Sequence, residues 1–193
     1  MKKLGFLMFL LAMAVMLGGT ALAQGDNSDY FTTYFSNANT SGAPDATLRI
    51  VNDGDTEANL YAEIYVFDDS EELTECCSCL ITPDGLLSES VNKNLTANPL
   101  TGIKPTRGVI KVISSPDDNP YDLEYNGENE PTPGLRGWAT HVQKLASGYA
   151  VTETLLADSN MGSAEEDLLG ALCFFDSKLS GKPCTCTPED ADF

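Results

Sequence analysis

Apolar residues in this chain recur mostly at every second position, the spacing that presents one face of an extended strand to a core. Leu48-Arg49-Ile50-Val51 alternates briefly and stops at the turn Asn52-Asp53-Gly54-Asp55. In the next run Leu60, Ala62, Ile64 and Val66 share one face, and Tyr61, Tyr65 and Phe67 share the other. That strand is expected to be buried on both sides. Segments 108–115, 137–143 and 149–156 read as further strands, the last through Val151, Thr152 and Thr154. Pro83-Asp84-Gly85 reads as a turn, and the Pro/Asn/Gly-rich stretches 92–105 and 116–134 as long surface loops. Many short strands between turns predict a mainly β protein, an antiparallel β-sandwich.

A single helix interrupts the strand pattern. Ser163-Ala164-Glu165-Glu166 fits a capping box, with Ser163 as N-cap. Leu168, Leu169, Leu172 and Phe175 then recur at helical spacing, giving a C-terminal helix over about 163–176 that ends before Gly181-Lys182-Pro183. Its apolar stripe is expected to cover the sandwich.

The N-terminus has a different character. Lys2 and Lys3 precede an apolar run over 4–17 and the small-x-small site Ala21-Leu22-Ala23, the arrangement of a secretory signal cleaved after Ala23. The run is shorter than the ~20 residues that span a bilayer, so no stable membrane insertion is expected after cleavage. The chain thus divides into a signal peptide (1–23), an N-terminal segment (24–42) that is an edge strand or flexible, and a sandwich domain with helix and Cys-rich tail (43–193). Within 24–42, Tyr30, Phe31, Tyr34 and Phe35 are the apolar anchors. They are expected to form an edge strand on this sandwich or to pair with a second copy. The expected location is secreted or periplasmic.

Charge narrows the partners. The chain holds 11 Lys and Arg against 29 Asp and Glu, and two of the cations fall in the signal, leaving a net charge of −20 without it. Such a surface repels nucleic acid and anionic lipid and favours solubility.

Six cysteines lie in two clusters, Cys76-Cys77-Ser78-Cys79 and Cys173 with Cys184-Thr185-Cys186. In an exported chain these read as disulfides. Adjacent Cys76 and Cys77 bond each other only through a strained ring. Pairing each member of one cluster with one of the other leaves six connectivities of the 15 conceivable, closing loops of roughly 95–110 residues. A thiolate metal site is the rival, but no C-x₂-C spacing occurs.

His141 is the only histidine, too few for blue copper or for the common catalytic zinc sites. The alternation places Trp138 and Thr140 on the core face with Val142, and His141 on a polar face beside Gln143. No serine sits in Gly-x-Ser-x-Gly, and no catalytic residue and no cofactor is assigned. Asp53, Asp55, Asp117 and Asp118 are weak calcium candidates without a recognised loop spacing. Trp138 is expected in the core, with a sugar-stacking platform as the alternative.

The segments Ala43-Pro44-Asp45-Ala46-Thr47-Leu48-Arg49-Ile50-Val51-Asn52, Ile64-Tyr65-Val66-Phe67-Asp68, Glu75-Cys76-Cys77-Ser78-Cys79, Asn98-Pro99-Leu100-Thr101-Gly102 and Trp138-Ala139-Thr140-His141 give the chain a resemblance. It resembles a group of exported bacterial proteins of unknown function, over most of 43–186. The Cys-Cys-x-Cys block is the most specific part, and the resemblance implies no reaction and no ligand.

The combined expectation is a secreted, non-enzymatic structural or binding protein of the cell exterior, self-associating through its N-terminal strand or holding a surface glycan. The alternatives are a carbohydrate- or calcium-binding module and a secreted hydrolase using paired carboxylates.

Overall fold

The structure is a computed structural model that describes residues 28–118, 120, 131–180 and 186. The expected signal segment, Cys184 and most of the loop 116–134 lie outside the described residues. Nine strands are described: β1 (Tyr30–Ser36), β2 (Thr47–Asn52), β3 (Leu60–Asp68), β4 (Leu73–Ile81), β5 (Leu86–Ser90), β6 (Arg107–Ser115), β7 (Leu135–Lys144), β8 (Tyr149–Leu155) and β9 (Ala157–Asp158). A π-helical turn (Val91–Leu95) follows β5, and the helix α1 (Ser163–Ser180) follows β9.

The strands form two antiparallel sheets, in the orders β4-β3-β6-β1-β9 and β5-β2-β7-β8. Their facing sides share one core, with Phe31, Phe35, Ile64, Val66, Ile110 and Val112 from the first sheet against Leu48, Ile50, Leu87, Leu135 and Val142 from the second. The fold is therefore the expected antiparallel β-sandwich with a C-terminal helix. As its two-sided pattern predicts, β3 is buried on both faces. Its second face, through Tyr65, packs with Tyr30, Ile113, Leu73, Leu169 and Cys173 beneath α1.

The β2–β3 turn is held by Asn52, whose side chain donates to Ala58 O (2.9 Å) and Ile81 O (3.0 Å) and accepts from Gly54 N (3.1 Å). Gly54 sits at φ +79°, which glycine adopts at little cost. On the other side of the sandwich, β8 and β9 are one strand that changes sheets. Leu156, between them, drops into the core against Gly137 of β7.

The N-terminal segment carries β1, which pairs along its whole length with β6 and on its other side with β9 at Phe31 and Thr32; Phe31 and Phe35 enter the core. Two expectations need correction. The helix reaches Ser180, and Glu165 N and Glu166 N donate to Gly162 O, so Gly162, one residue earlier than expected, caps it.

The helix is also rotated. Glu166, Leu169, Gly170, Cys173 and Asp176 face the sheet, while Leu168 and Phe175 of the expected stripe are exposed. Cys173 sets this rotation, because its bond to Cys76 ties that side of the helix to β4.

The disulfides join the two clusters, as the least strained pairing predicts: Cys76–Cys173 and Cys79–Cys186. Successive residues of a strand point to opposite faces. Cys76 therefore meets the helix on the outer side, while Cys77 and Cys79 belong to the core between the sheets. Cys186 packs against that same core. Cys77 is also disulfide-bonded.

Candidate functional site

The two sheets are treated differently on their outer sides. The first is covered by α1, whereas among the described residues no element lies over the outer face of the second, where Arg49, Val51, Arg136 and Trp138 are half-buried and Leu86 and Leu155 exposed. Gly137 and Ala139 of β7 face the core: a Cβ on Gly137 would lie 2.5 Å from Leu156 Cδ1, and Ala139 is buried. Trp138, between them, must point outward. This corrects the expectation of a core tryptophan; Trp138 belongs to neither core cluster.

Across the strands its neighbours are Arg49 on β2 and Leu155 on β8, which is 66 % exposed. Val51 and exposed Leu86 lie opposite each other on the adjoining row. Each arginine of this face is met by an acid. Arg49 pairs with Glu153, and Arg136 Nε lies 3.1 Å from Asp53 Oδ2. The result is a pleated platform with one indole, several aliphatic side chains and two internally neutralised ion pairs.

The calcium candidates do not meet around a common centre. Asp53 engages Arg136 and accepts from Asp55 N (3.1 Å), in the β2–β3 turn on the second sheet. Asp117 and Asp118 follow β6 in the first sheet, where Asp118 N donates to Asp117 Oδ1 (2.6 Å). Among the described residues no group of three or more His, Cys, Asp or Glu is placed to hold a metal ion.

A cleft of about 570 Å³ opens at the seam between the sheets, lined by Phe31, Asp53, Leu135, Arg136, Leu156 and Asp158 among others. The acids with raised pKa values are elsewhere. Burial pushes Glu63 well above the usual carboxylate range; Ser78 Oγ, donating to Glu63 Oε1 at 2.7 Å, opposes this, and Asp118 and Asp117 add to it. Burial, and then Asp176, push Glu75 up to about 8, while burial raises Asp176 itself. A glycosidase acid must be both protonated and in reach of its substrate. Here the acids with raised pKa values are buried in β3, β4 and the underside of α1, and the cleft is lined by others.

His141 is not on a polar surface. It is 2 % exposed and bridges the sheets: Nδ1 lies 3.1 Å from Tyr34 O, and Nε2 lies 2.7 Å from Thr154 Oγ1. A carbonyl oxygen only accepts, so Nδ1 carries the proton and Nε2 accepts from the threonine hydroxyl. The ring also stacks on Tyr34, with centroids 4.1 Å apart. These partners include neither an acid nor a serine, so this is a latch between β1 and the β7–β8 hairpin.

Burial lowers the His141 pKa and the Tyr34 carbonyl partly offsets it. A depressed folded-state pKa gives stability that is present above the ordinary value of 6.5 and lost as pH falls through the lowered one. His141→Ala should therefore cost about 2 kcal/mol at pH 7, by leaving Tyr34 O and Thr154 Oγ1 without this partner. Thermal unfolding checks it: the gap between wild type and variant should shrink between pH 7 and pH 5. A variant as stable as wild type at pH 7 would contradict the latch.

No family model and no curated protein matches the chain. Among solved structures the chain is similar to Thermotoga maritima 1070, at 14 % identity and a TM-score of 0.42, over 70 % of this chain and 97 % of that one.

Sequence reasoning missed the orientation of β7 and with it both Trp138 and His141. The signal was present in Gly137. A glycine inside a strand marks a close approach of other atoms, and here Leu156 makes it, so the small residues face the core and the indole faces out.

Proposed function

We propose that this is an exported, non-enzymatic binding protein of the cell exterior whose working surface is the outer face of β2, β7 and β8, and that it holds a neutral surface glycan. The observation that carries this reading is Trp138, displayed on the uncovered sheet between Arg49 and Leu155. Sugar rings present C–H faces that pack on an indole and hydroxyls that exchange hydrogen bonds with planar polar side chains. Arg49 with Glu153 and Arg136 with Asp53 offer both donors and acceptors without net charge. An anionic polymer would meet those neutralised arginines on a strongly acidic protein.

Export is supported by the signal-like leader and by the covalent stapling of the domain, which requires an oxidising compartment. The resemblance to exported bacterial proteins points the same way.

Retardation in gels containing neutral or acidic polysaccharides tests the reading. A neutral polymer should retard the protein, and Trp138→Ala should weaken that binding at least about tenfold, the scale of a lost stacking contact. Equal retardation of wild type and Trp138→Ala, or a preference for acidic polymers, would overturn it. Release of new reducing ends during incubation would favour the hydrolase instead.

A further inference from the structure

Four strands form the outer edges of the two sheets, and three of them are short or occupied. β4 carries α1 and both described disulfides, β9 is two residues long, and β5 runs after five residues into the π-helical turn. β8 is different. It has seven residues, Tyr149 to Leu155, none of them buried, and the last five are exposed.

The phase of its hydrogen bonds follows from its two ends. Leu156 N donates to Gly137 O (2.9 Å), and Leu145 N donates to Gly148 O (3.0 Å) across the hairpin loop. An antiparallel ladder alternates bonded and non-bonded pairs. Both ends give the same phase: residues 150, 152 and 154 bond to β7, and residues 149, 151, 153 and 155 turn their N–H and C=O groups to the open edge. Among the described residues none meets those groups.

Natural edges are blunted by lysine, proline, bulges or inward charges. β8 has no lysine and no proline, its register with β7 runs without a shift, and its one charge, Glu153, is held by Arg49 on the outer face. We infer that β8 pairs with β8 of a second copy, antiparallel about a two-fold axis at Thr152, joining two four-stranded sheets into one of eight.

Charge and packing select this register. With Thr152 opposite its twin, all seven residues pair, Glu153 faces Val151 of the second copy, and Tyr149 faces Leu155. A shift of one residue along each strand toward Glu153 would set two glutamates directly opposite, which is destabilising. A second copy supplies a strand of matching length, across which the exposed Val151 and Leu155 gain apolar neighbours. Two chains of high negative charge still repel at long range, so association should tighten as salt rises. The inference stands independently of the glycan reading, although pairing would bring two Trp138 faces into one surface.

Sedimentation equilibrium of the exported, oxidised protein over a roughly hundredfold range of concentration provides the test. Wild type should be a dimer at the upper end, with the dissociation constant falling between low and moderate salt. Val151→Pro removes an N–H that points away from β7, so it should spare the fold and weaken the dimer at least about tenfold. Thr152→Lys places two like charges at the two-fold while lowering the net negative charge of each chain. It should also give a monomer, and it serves if the proline variant fails to fold.

Amide exchange supplies a readout without mutation. Protection at 151, 153 and 155 should rise with concentration, while that at 150, 152 and 154 stays unchanged. A wild-type monomer throughout, a dimer retained in the folded variants, or concentration-independent exchange at 151, 153 and 155 would overturn the proposal.

Discussion

Breaking the bonds between the two cysteine clusters should release the C-terminal helix and lower stability more than loss of the His141 latch does. Cys76–Cys173 and Cys79–Cys186 close loops whose ends are 97 and 107 residues apart. On the chain-entropy model a loop of this size contributes about 4.7 kcal/mol, but the two bonds are not independent. With a third bond from Cys77 to Cys184 in place, Cys76–Cys173 closes a ring of only about 12 steps, one from Cys76 to Cys77 and 11 from Cys173 to Cys184, worth about 3 kcal/mol, and Cys79–Cys186 one of about four, worth about 2 kcal/mol.

The pair variants should therefore differ in kind as well as in size. Cys76→Ala with Cys173→Ala should cost about 3 kcal/mol and loosen α1, whose remaining apolar contact with the sheet is chiefly Leu169. Cys79→Ala with Cys186→Ala should cost less, about 2 kcal/mol, and leave α1 protected, because that bond lies on the core side of β4. Full reduction should cost more than either. Amide exchange of residues 163–180 and thermal unfolding separate these outcomes, and non-reducing mass spectrometry should find Cys77 joined to Cys184, the remaining cysteine. Bonds confined within each cluster, or a melting temperature indifferent to reductant, would contradict the stapled arrangement.

The disulfide framework was the part of the site most legible in the sequence. Adjacent Cys76 and Cys77 on a strand must face opposite sides, so a strand reading of 73–81 would have sent one to the helix and the other to the core. That strand was hidden by its composition, since Glu75, the cysteines and Ser78 do not look apolar although most of the strand is buried. The strands with aliphatic alternation, β2, β3 and β6, were legible because burial by one facing sheet imposes period two.

Orientation was less legible than existence. In β7 size alone assigns the larger side chains to the core, whereas Leu156 crosses so close that only Gly137 and Ala139 fit beneath it. In α1 two apolar stripes compete, and a covalent bond at Cys173 decides between them. Long-range contacts fixed both choices, and local periodicity carries no information about them. The same holds for β1: nothing within 24–42 says that β6 lies alongside, but Phe31 and Phe35 at spacing four already supplied one buried face.

Raising the pH from 7 to 9 should loosen the far half of α1, and Glu75→Gln should remove most of that sensitivity. The helix is held at three places. Near its start Glu165 receives Lys111 and the Tyr30 hydroxyl (3.3 Å), in the middle Cys173 is bonded to Cys76, and beyond it Asp176 lies near Glu75. Glu75 is 1 % exposed and Asp176 is 5 % exposed. Burial and the neighbouring Asp176 push Glu75 up to about 8, so it is largely protonated at pH 7.

A raised carboxyl pKa contributes stability that is complete below the unfolded value of 4.5 and lost as pH rises through the folded value near 8. The full span of about 3.5 pH units is worth about 5 kcal/mol, of which only about 1 kcal/mol falls between pH 7 and pH 9, because the loss accrues from pH 4.5 upward and ends near 8. Local opening caps the loss, because the helix end can swing out and hydrate both carboxylates while the disulfide retains its middle. Wild type should therefore lose melting temperature and amide protection at residues 174–180 between pH 7 and pH 9, with residues 163–170 less affected. Glu75→Gln keeps the size of the side chain and cannot ionise, so its loss over the same interval should be much smaller. Parallel losses in the two proteins would mean that the pair does not hold the helix, and that its alkaline sensitivity has another origin.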